Sequence, residues 1–397
     1  FPYRNGFTVV RMGDERTGKR AFLDANGDPI TDFIFDRAYH FVNGFGTAVM
    51  AGEWYFVRPD GSLLNESGYS YAYDFQEGYA GVRVSTSGGS VWGIIDENGA
   101  EVLPAEFERL SYAGEGRWWV GESRSEYALY RPGDEPPQEF PYSWYTWFRD
   151  GLAVVRAPQE SYDAYRVITP DEEVLYDTTL QIALADRDLM VVRTNEGRRY
   201  LRYDGTGLNE DAYFSAELFS GGVARVSVGT SWSNQQWGIL AADGTYIVGP
   251  TYDYLSDFNE DGLARFREGE LFGIVATDGT IVSPAQWEHT GLFSEGRCPV
   301  LRDGKWGYID TAGELAIPLE YEYAWDFGSG FAVVRYGDHE TGERLYIDHA
   351  GEPLTGDRFD WAYNFDRGLA HVAEGDYDEG RFGYMNATGE LVWEPTR

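Results

Sequence analysis

The chain has 397 residues, with 66 acidic and 32 basic side chains and a formal net charge of −34 at pH 7. So negative a surface repels phosphate backbones and anionic lipid headgroups, which disfavours nucleic-acid and membrane-surface binding. No apolar run approaches the ~20 residues that a membrane-spanning helix needs. The one cysteine, Cys298, leaves no disulfide framework and no cysteine-based metal site.

An internal repeat dominates the sequence, and its clearest copy is residues 305–338, KWGYIDTAGELAIPLEYEYAWDFGSGFAVVRYGD. This copy begins with an aromatic-Gly-aliphatic stretch, passes an Asp-x-x-Gly turn, and ends in an apolar final run, Phe331 to Arg335. Short β-branched and aromatic segments bounded by Gly and Pro predict strands, and no sustained helical period is present. The stretch from Tyr323 to Phe327 fits either one helical turn or a bent strand.

The turn and the final run recur along the whole chain at a period of about 36 residues. In chain order the turns carry Gly27, Gly61, Gly99, Gly133, Gly244, Gly279, Gly313, Gly351 and Gly389, with degenerate turns at 169–176 and 203–210. The final runs begin at Gly6, Gly44, Gly78, Gly116, Gly151, Asp188, Gly222, Gly262, Gly296, Gly330 and Gly368. The sequence therefore predicts one all-β array of about eleven ~36-residue repeats over residues 1–397.

Each repeat is punctuated by residues that favour turns. The turn glycines accept a positive φ without steric strain, and the Asp before several of them can accept backbone N–H groups. Prolines recur after the turn, where we expect a strand to end because proline cannot donate to a sheet ladder. These prolines are Pro104, Pro250, Pro284 and Pro318.

The two ends of the chain complement each other. Residues 381–397 stop after the second strand region of a repeat, and residues 1–18 supply the missing final run. We expect these segments to share one split repeat, which favours a closed propeller-like ring whose N- and C-terminal strands complete one unit. Eleven units exceed the four to eight blades of a typical propeller. An open β-solenoid superhelix and two separate sub-arrays therefore remain as alternatives.

The repeat resembles the WG-repeat family of bacterial proteins, whose unit reads like KWGYIDxxGxxxIPxxYxxAxxFxxGLAxVxx. Residues 305–338 match this pattern almost throughout, and residues 91–120, 236–266 and 271–303 match it well. Residues 124–228 depart most, with pairs such as Tyr127-Ala128 in place of Trp-Gly. The resemblance implies a β-rich repeat protein, often of the cell envelope or secreted. It brings no catalytic residues to transfer to this chain.

The tryptophans fall into two groups. Trp92, Trp237 and Trp306 hold the repeat position, which predicts a place in the core. A second group lies mostly off the repeat, and exposed rings there would offer stacking surfaces for sugars or anchors for a protein. This candidate ligand-binding group is Trp118, Trp119, Trp144, Tyr145, Trp147 and Trp232. Strand alternation predicts that one ring of Trp118-Trp119 points outward. The alternative is that the group caps a weaker part of the core.

Motifs for catalysis, metals and cofactors are weak. The stretch DANGD at 24–28 resembles the start of a calcium loop, but Pro29 and Phe35 stand where that loop needs Gly and Glu. It coincides with the hairpin turn of the repeat, which is our preferred interpretation. No phosphate-binding loop, dinucleotide fingerprint or nucleophile elbow is present. We therefore expect no catalytic residue, no metal and no cofactor.

The sequence favours a non-enzymatic binding or scaffolding protein that presents a large acidic β-repeat surface to a protein partner. The alternative is a carbohydrate-binding or carbohydrate-active protein that uses exposed Trp and Tyr rings with acidic residues. From the family resemblance we expect an extracellular or cell-envelope location in a bacterium. Neither the oligomeric state nor the identity of the ligand follows from the sequence.

Overall fold

The computed structural model describes residues 6–13, 16–158, 163–338, 342–365, 368–375 and 381–396. Within them the chain is all β, without a helix, and its strands form eleven antiparallel sheets. The chain divides into two compact units. Of the described residues, the first unit holds 6–195 and 200–207, and the second holds 196–199 and 208–396.

The first unit is built from successive sheets of two to four strands. Sheet by sheet, the strands are β1 (Thr8–Met12) and β2 (Lys19–Leu23); β3 (Arg37–Val42), β4 (Phe45–Met50) and β5 (Glu53–Val57); β6 (Tyr71–Ala72), β7 (Tyr79–Thr86), β8 (Gly89–Asp96) and β9 (Glu101–Phe107); β10 (Arg109–Gly114), β11 (Arg117–Gly121) and β12 (Tyr127–Tyr130); β13 (Trp144–Tyr145), β14 (Ala153–Pro158), β15 (Asp163–Ile168) and β16 (Val174–Thr178); and β17 (Gln181–Ala185), β18 (Leu189–Thr194) and β19 (Gly197–Arg202).

The second unit continues the same pattern. Its strands are β20 (Ser215–Ala216), β21 (Val223–Val228), β22 (Gln236–Ala241) and β23 (Tyr246–Tyr252); β24 (Tyr254–Leu255), β25 (Leu263–Glu268), β26 (Leu271–Ala276) and β27 (Ile281–Trp287); β28 (His289–Thr290), β29 (Arg297–Arg302), β30 (Lys305–Asp310) and β31 (Leu315–Tyr321); β32 (Tyr323–Ala324), β33 (Ala332–Tyr336) and β34 (Glu343–Ile347); and β35 (Trp361–Ala362), β36 (Leu369–Glu374), β37 (Arg381–Asn386) and β38 (Leu391–Thr396).

Each complete sheet is a four-stranded meander, the form of a propeller blade. In the sheet β28–β31 each strand pairs with the next along the chain. The order is the short first strand β28, the final run β29, the Trp-Gly strand β30 and the outer fourth strand β31. Every sheet holds one predicted final run, so the eleven-fold repeat is confirmed. The open question at Tyr323 is settled as well, because Tyr323–Ala324 is a two-residue strand rather than a helical turn.

The predicted turns take the expected backbone forms. At the tip between the third and fourth strands, Gly313 has φ 81° and its N–H donates to Asp310 O at 2.9 Å. The Oδ1 atom of Asp310 accepts the N–H groups of Ala312 and Glu314, both at 3.0 Å. The degenerate turn at 169–176 has the same form, with Glu172 at φ 60° in place of glycine. The repeat therefore persists where its sequence signature is lost.

The glycine of the Trp-Gly pair is explained by the fourth strand. A bulge between Trp306 and Tyr308 brings that strand against the third. A Cβ on Gly307 would lie 2.5 Å from Ile317 O and 2.6 Å from Pro318 O. A Cβ on Gly93 would likewise lie 2.6 Å from Leu103 O. Only glycine allows so close an approach of backbone to backbone.

The expectation that a strand ends at each repeated proline is wrong. Pro104, Pro250, Pro284 and Pro318 each lie inside a fourth strand, in β9, β23, β27 and β31. The fourth strand is the outer edge of its sheet and is bulged at this point, so the missing N–H costs no ladder bond.

The core lies between successive sheets, so both faces of an inner sheet are covered. One cluster joins Trp306, Tyr308 and Ile317 of one sheet to Val334 and Leu345 of the next. Trp92, Trp237 and Trp306 are 9%, 9% and 7% exposed, which confirms them as core residues.

The two chain ends pair locally in the described residues. Thr8–Met12 pairs with Lys19–Leu23, and Leu391–Thr396 pairs with Arg381–Asn386. Residues 1–5, 14–15 and 397 lie outside the described residues. A split repeat shared by residues 1–18 and 381–397, and a ring closed by it, therefore stay predictions.

Candidate functional site

Trp118 and Trp119 are both fully buried, so the expectation that one of the two rings points outward is wrong. Their rings do leave opposite faces of β11, as alternation requires, but each face is covered by a neighbouring sheet. Trp118 packs with Trp92 and Leu110, and Trp119 packs with Tyr142 and Phe148. Both residues hold sheets together and offer no surface to a ligand.

The second pair of candidates is only partly open to solvent. Trp144 is 40% exposed and its ring meets Tyr165 edge-on at 6.4 Å. Tyr145 is half-buried, stacks on Trp119 at 4.5 Å, and exchanges a 3.0 Å hydrogen bond with Ser111. The structure thus brings Trp119 and Tyr145 together in the core of the first unit.

Trp147, also in the first unit, is 71% exposed. It lies between the short strand β13 and the final run β14. Asp74 holds the equivalent position in the sheet β6–β9, also in the first unit. Its ring can therefore contact a ligand without any rearrangement of the core.

Trp232 of the second unit is also 71% exposed, and it lies in an enlarged hairpin. The connection between β21 and β22 runs from Gly229 to Gln235, which is seven residues. The corresponding hairpin of the sheet β28–β31 has only two, Asp303 and Gly304. The inserted residues lift a tryptophan into solvent.

The enlarged hairpin is held by its own hydrogen bonds. The Oδ1 atom of Asn234 accepts the N–H groups of Thr230 at 3.0 Å and Ser231 at 2.8 Å. The Nδ2 atom of Asn234 donates to Thr230 Oγ1 at 2.8 Å. At the base Gly229 has φ 150°, and a Cβ there would lie 2.7 Å from Gln235 Cα. The loop is thus braced from inside and closed tightly at its base.

The Trp232 ring is supported by Phe214. The centroids of the Trp232 and Phe214 rings lie 5.1 Å apart, and the two rings are nearly perpendicular, with an interplanar angle of 81°. A perpendicular ring contact helps to fix the indole, and most of the Trp232 side chain stays open to solvent. Trp232 is therefore a preformed, exposed aromatic anchor.

Sequence reasoning missed a ladder of rings in the second unit. Tyr254, Phe272, His289, Trp306 and Tyr323 follow one another at centroid distances of 6.5, 5.8, 5.5 and 5.1 Å. Each member belongs to the first or third strand of a sheet, a periodicity that the sequence does carry. Because each ring packs against the next, the ladder connects successive sheets of the second unit.

The calcium-like stretch at 24–28 is a hairpin turn in the structure. Asp24 Oδ1 accepts the N–H groups of Asn26 at 2.8 Å and Asp28 at 2.9 Å. These bonds, that of Asp28 above all, lower the pKa of the Asp24 carboxyl. In the described part of the chain no three His, Cys, Asp or Glu side chains form a group that could hold a metal ion.

Of two other reactive groups, Cys298 is buried and His371 is half-buried. Burial raises the pKa of the Cys298 thiol well above its usual range, so it stays protonated at neutral pH. Burial lowers the pKa of His371 to about 3, and its ring stacks between Tyr363 and Phe382, each at 5.2 Å. Both side chains serve packing.

Comparison with known families confirms the repeat. Six segments match a family model described as WG containing repeat: residues 22–54, 59–85, 92–120, 237–272, 272–306 and 306–338. The sequence matches no curated protein. The described residues contain no helix long and apolar enough to cross a membrane.

Solved structures show only distant likeness. A eukaryotic initiation factor is 12% identical, over 90% of this chain and 97% of that chain, with a TM-score of 0.45. Kluyveromyces lactis Hsv2 is 12% identical, over 71% and 96%, with a TM-score of 0.32. An uncharacterized protein from Listeria monocytogenes is 9% identical, over 61% and 90%, with a TM-score of 0.26. Likeness this distant has no bearing on function.

Proposed function

This chain is a WG-repeat protein, and from that premise we propose that it is a non-enzymatic binding protein whose second unit docks a protein partner on Trp232. The observation that supports the proposal is the braced seven-residue hairpin, which holds a tryptophan at 71% exposure. A partner that covers this ring would remove a large apolar surface from water, which favours association.

A protein partner suits this hairpin for two reasons. Tryptophan is enriched among the few interface residues that carry most of a binding energy. The loop is ordered by Asn234 before binding, so less conformational entropy is lost when the partner docks. The net charge of −34 favours a basic partner and speeds its approach at low salt.

A second candidate function is carbohydrate binding, and the exposed ring of Trp147 favours it. A ring that is 71% exposed offers a face on which a sugar can stack. This candidate uses the first unit, so it is separable from the Trp232 surface by mutation. An extracellular or cell-envelope location, expected from the family resemblance, is part of the same proposal.

The test is capture of a partner by three matched proteins. Purified wild type, Trp232→Ala and Trp147→Ala are immobilised, exposed to extract of the native source, and the captured protein is identified and titrated. We expect wild type and Trp147→Ala to bind the same partner equally, and Trp232→Ala to bind at least tenfold more weakly, because a hot-spot residue contributes about 2 kcal/mol or more. Asn234→Ala should give an intermediate loss by loosening the loop.

The melting temperature is the control for correct folding of the variants. The side chain of Trp232 is mostly exposed, so Trp232→Ala should keep the wild-type melting temperature. Equal capture by wild type and Trp232→Ala contradicts the proposal. Saturable binding on a glycan array that is lost in Trp147→Ala would instead support the carbohydrate function.

A further inference from the structure

In two of the sheets the third residue of the second strand reaches the sheet that follows. In β4 this residue is Thr47, whose hydroxyl donates to the Asp74 carboxylate at 2.6 Å. In β21 it is Arg225, whose guanidinium forms an ion pair with Asp257 and donates to Leu255 O at 2.6 Å. A carboxylate three residues after the start of the short strand thus receives its donor from the preceding sheet.

Asp326 holds the same position as Asp74 and Asp257, three residues after the start of β32. The third residue of the preceding second strand, β29, is Pro299. Proline has no side-chain donor, so this sheet cannot supply the bond that the other two sheets make. The repeat therefore leaves Asp326 without its expected partner.

The surroundings of Asp326 do not replace that partner. Its Oδ1 atom accepts one long hydrogen bond, from the Leu292 N–H at 3.3 Å. It packs so closely on Gly291 that a Cβ there would lie 2.7 Å from Oδ1. A carboxylate can accept about four hydrogen bonds. The described residues contain no ion pair to Asp326.

Arg265 is an opposite charge that acts on Asp326. Burial raises the pKa of the Asp326 carboxyl, while the Leu292 N–H and the Arg265 charge oppose that rise. The Nη1 atom of Arg265 donates to Thr290 O at 2.9 Å and the guanidinium lies 5.6 Å over the Tyr254 ring, while its buried Nε has no hydrogen-bond partner among the described residues. Asp326 is thus a half-buried carboxylate with one weak donor and no ion-pair partner.

We propose that Asp326 is a binding site for an organic cation, a guanidinium or primary ammonium group supplied from outside this chain. The repeat itself indicates the chemistry, because the carboxylate at the equivalent position, Asp257, binds a guanidinium. A guanidinium offers a planar set of N–H donors that matches a carboxylate. Leu292, which is 56% exposed beside the carboxylate, would pack against the carbon chain of such a ligand.

The test is a titration of [15N]leucine-labelled protein with L-arginine amide at low ionic strength, read at the Leu292 amide. We expect a saturable shift in wild type and at least fivefold weaker binding in Asp326→Asn. Asp257→Asn is the matched control, because it removes the same charge from a carboxylate that is already paired. It should bind the probe as wild type does.

One further variant and one further probe distinguish a specific site from general electrostatic attraction. Pro299→Arg should place a guanidinium on Asp326 from within the chain, raise the melting temperature and abolish probe binding. Triarginine in place of arginine amide separates the sources of the cation. If triarginine binds at least tenfold more tightly than arginine amide, the natural ligand is a polypeptide. If the two probes bind equally, the natural ligand is a free amine. The proposal is overturned if Asp326→Asn binds as wild type does, or if Asp257→Asn weakens binding equally.

Discussion

Two sheets of the same repeat solve one packing problem in opposite ways. In β28–β31 the third strand carries Gly307, and the bulged fourth strand pairs with it along its length. In β3–β5 the corresponding residue is Tyr55, and the fourth segment touches the third strand only at two bridges, Trp54 with Tyr69 and Val57 with Leu63. In β3–β5 a side chain at this position therefore goes with two isolated bridges in place of a bulged fourth strand.

The three-stranded sheet replaces the lost backbone bonds with a side chain. Asn65 is 8% exposed, and its Oδ1 accepts the Phe56 N–H at 3.0 Å. Its Nδ2 donates to Ser67 O at 2.8 Å and to Trp54 O at 3.3 Å. A buried backbone group needs a partner, whichever element supplies it. The repeat thus tolerates loss of its glycine because a polar side chain takes over the pairing.

The largest effect is expected from adding a methyl group to the four-stranded sheet. Gly307→Ala places a Cβ 2.5 Å from Ile317 O, so the fourth strand must move. We expect the local free energy of opening of β30 and β31 to fall by about 3 kcal/mol, as in an overpacked core. Native-state hydrogen exchange at the Tyr308 and Ile317 amides measures this change.

Gly249→Ala is the control for this substitution, because a Cβ there meets no atom within 4 Å. It should change stability by less than about 0.5 kcal/mol. Similar losses from both alanines would mean that close approach is not why the repeat carries glycine.

A smaller loss of stability is expected from removing the Asn65 side chain, which replaces the fourth-strand hydrogen bonds in β3–β5. Asn65→Ala leaves the buried Phe56 N–H without an acceptor, which costs about 2 kcal/mol. Exchange of the Phe56 amide should accelerate accordingly. Asn98→Ala is the matched control, since Asn98 is exposed and its side chain makes one 3.3 Å bond to Asp96. An unchanged Phe56 amide in Asn65→Ala would contradict the substitution of side chain for strand.

The smallest effect concerns the hairpin between the second and third strands, where the two sheets again differ. Ala51 and Asp303 have φ values of 53° and 54°, and both N–H groups donate to a carboxylate at 2.8 Å. Alanine is strained in this left-handed region, whereas asparagine tolerates it. Ala51→Asn should therefore raise the thermal stability, by about 1 kcal/mol at most. The reverse change, Asp303→Ala, should lower it by a similar amount, and a loss in Ala51→Asn would refute the strain.

The sequence predicted the array because its cues are local. Turn glycines and alternating apolar residues specify hairpins over a few residues, so the repeat could be counted even at Glu172, where glycine is absent. It did not predict that strands pass through Pro250 and Pro318, because the position of a strand within its sheet depends on long-range pairing. Nor does the pattern reveal that the sheet β3–β5, which carries Tyr55, has no fourth strand.

The aromatic candidates show a similar limit. Alternation placed Trp118 and Trp119 on opposite faces, but burial of both rings depends on two neighbouring sheets. Trp232 was found because it lies off the repeat, and the length of its hairpin was readable in advance. The missing donor at Asp326 becomes visible only when Pro299 is placed across from it.

The prolines of the outer strands have a consequence for the behaviour of the protein in concentrated solution. A chain with many similar sheets carries many similar edges, and each unpaired edge is a template for cross-chain pairing. At Pro104, Pro250, Pro284 and Pro318 the edge has no N–H to offer and is bulged. We expect these positions to oppose aggregation and the exchange of strands between repeats of similar sequence.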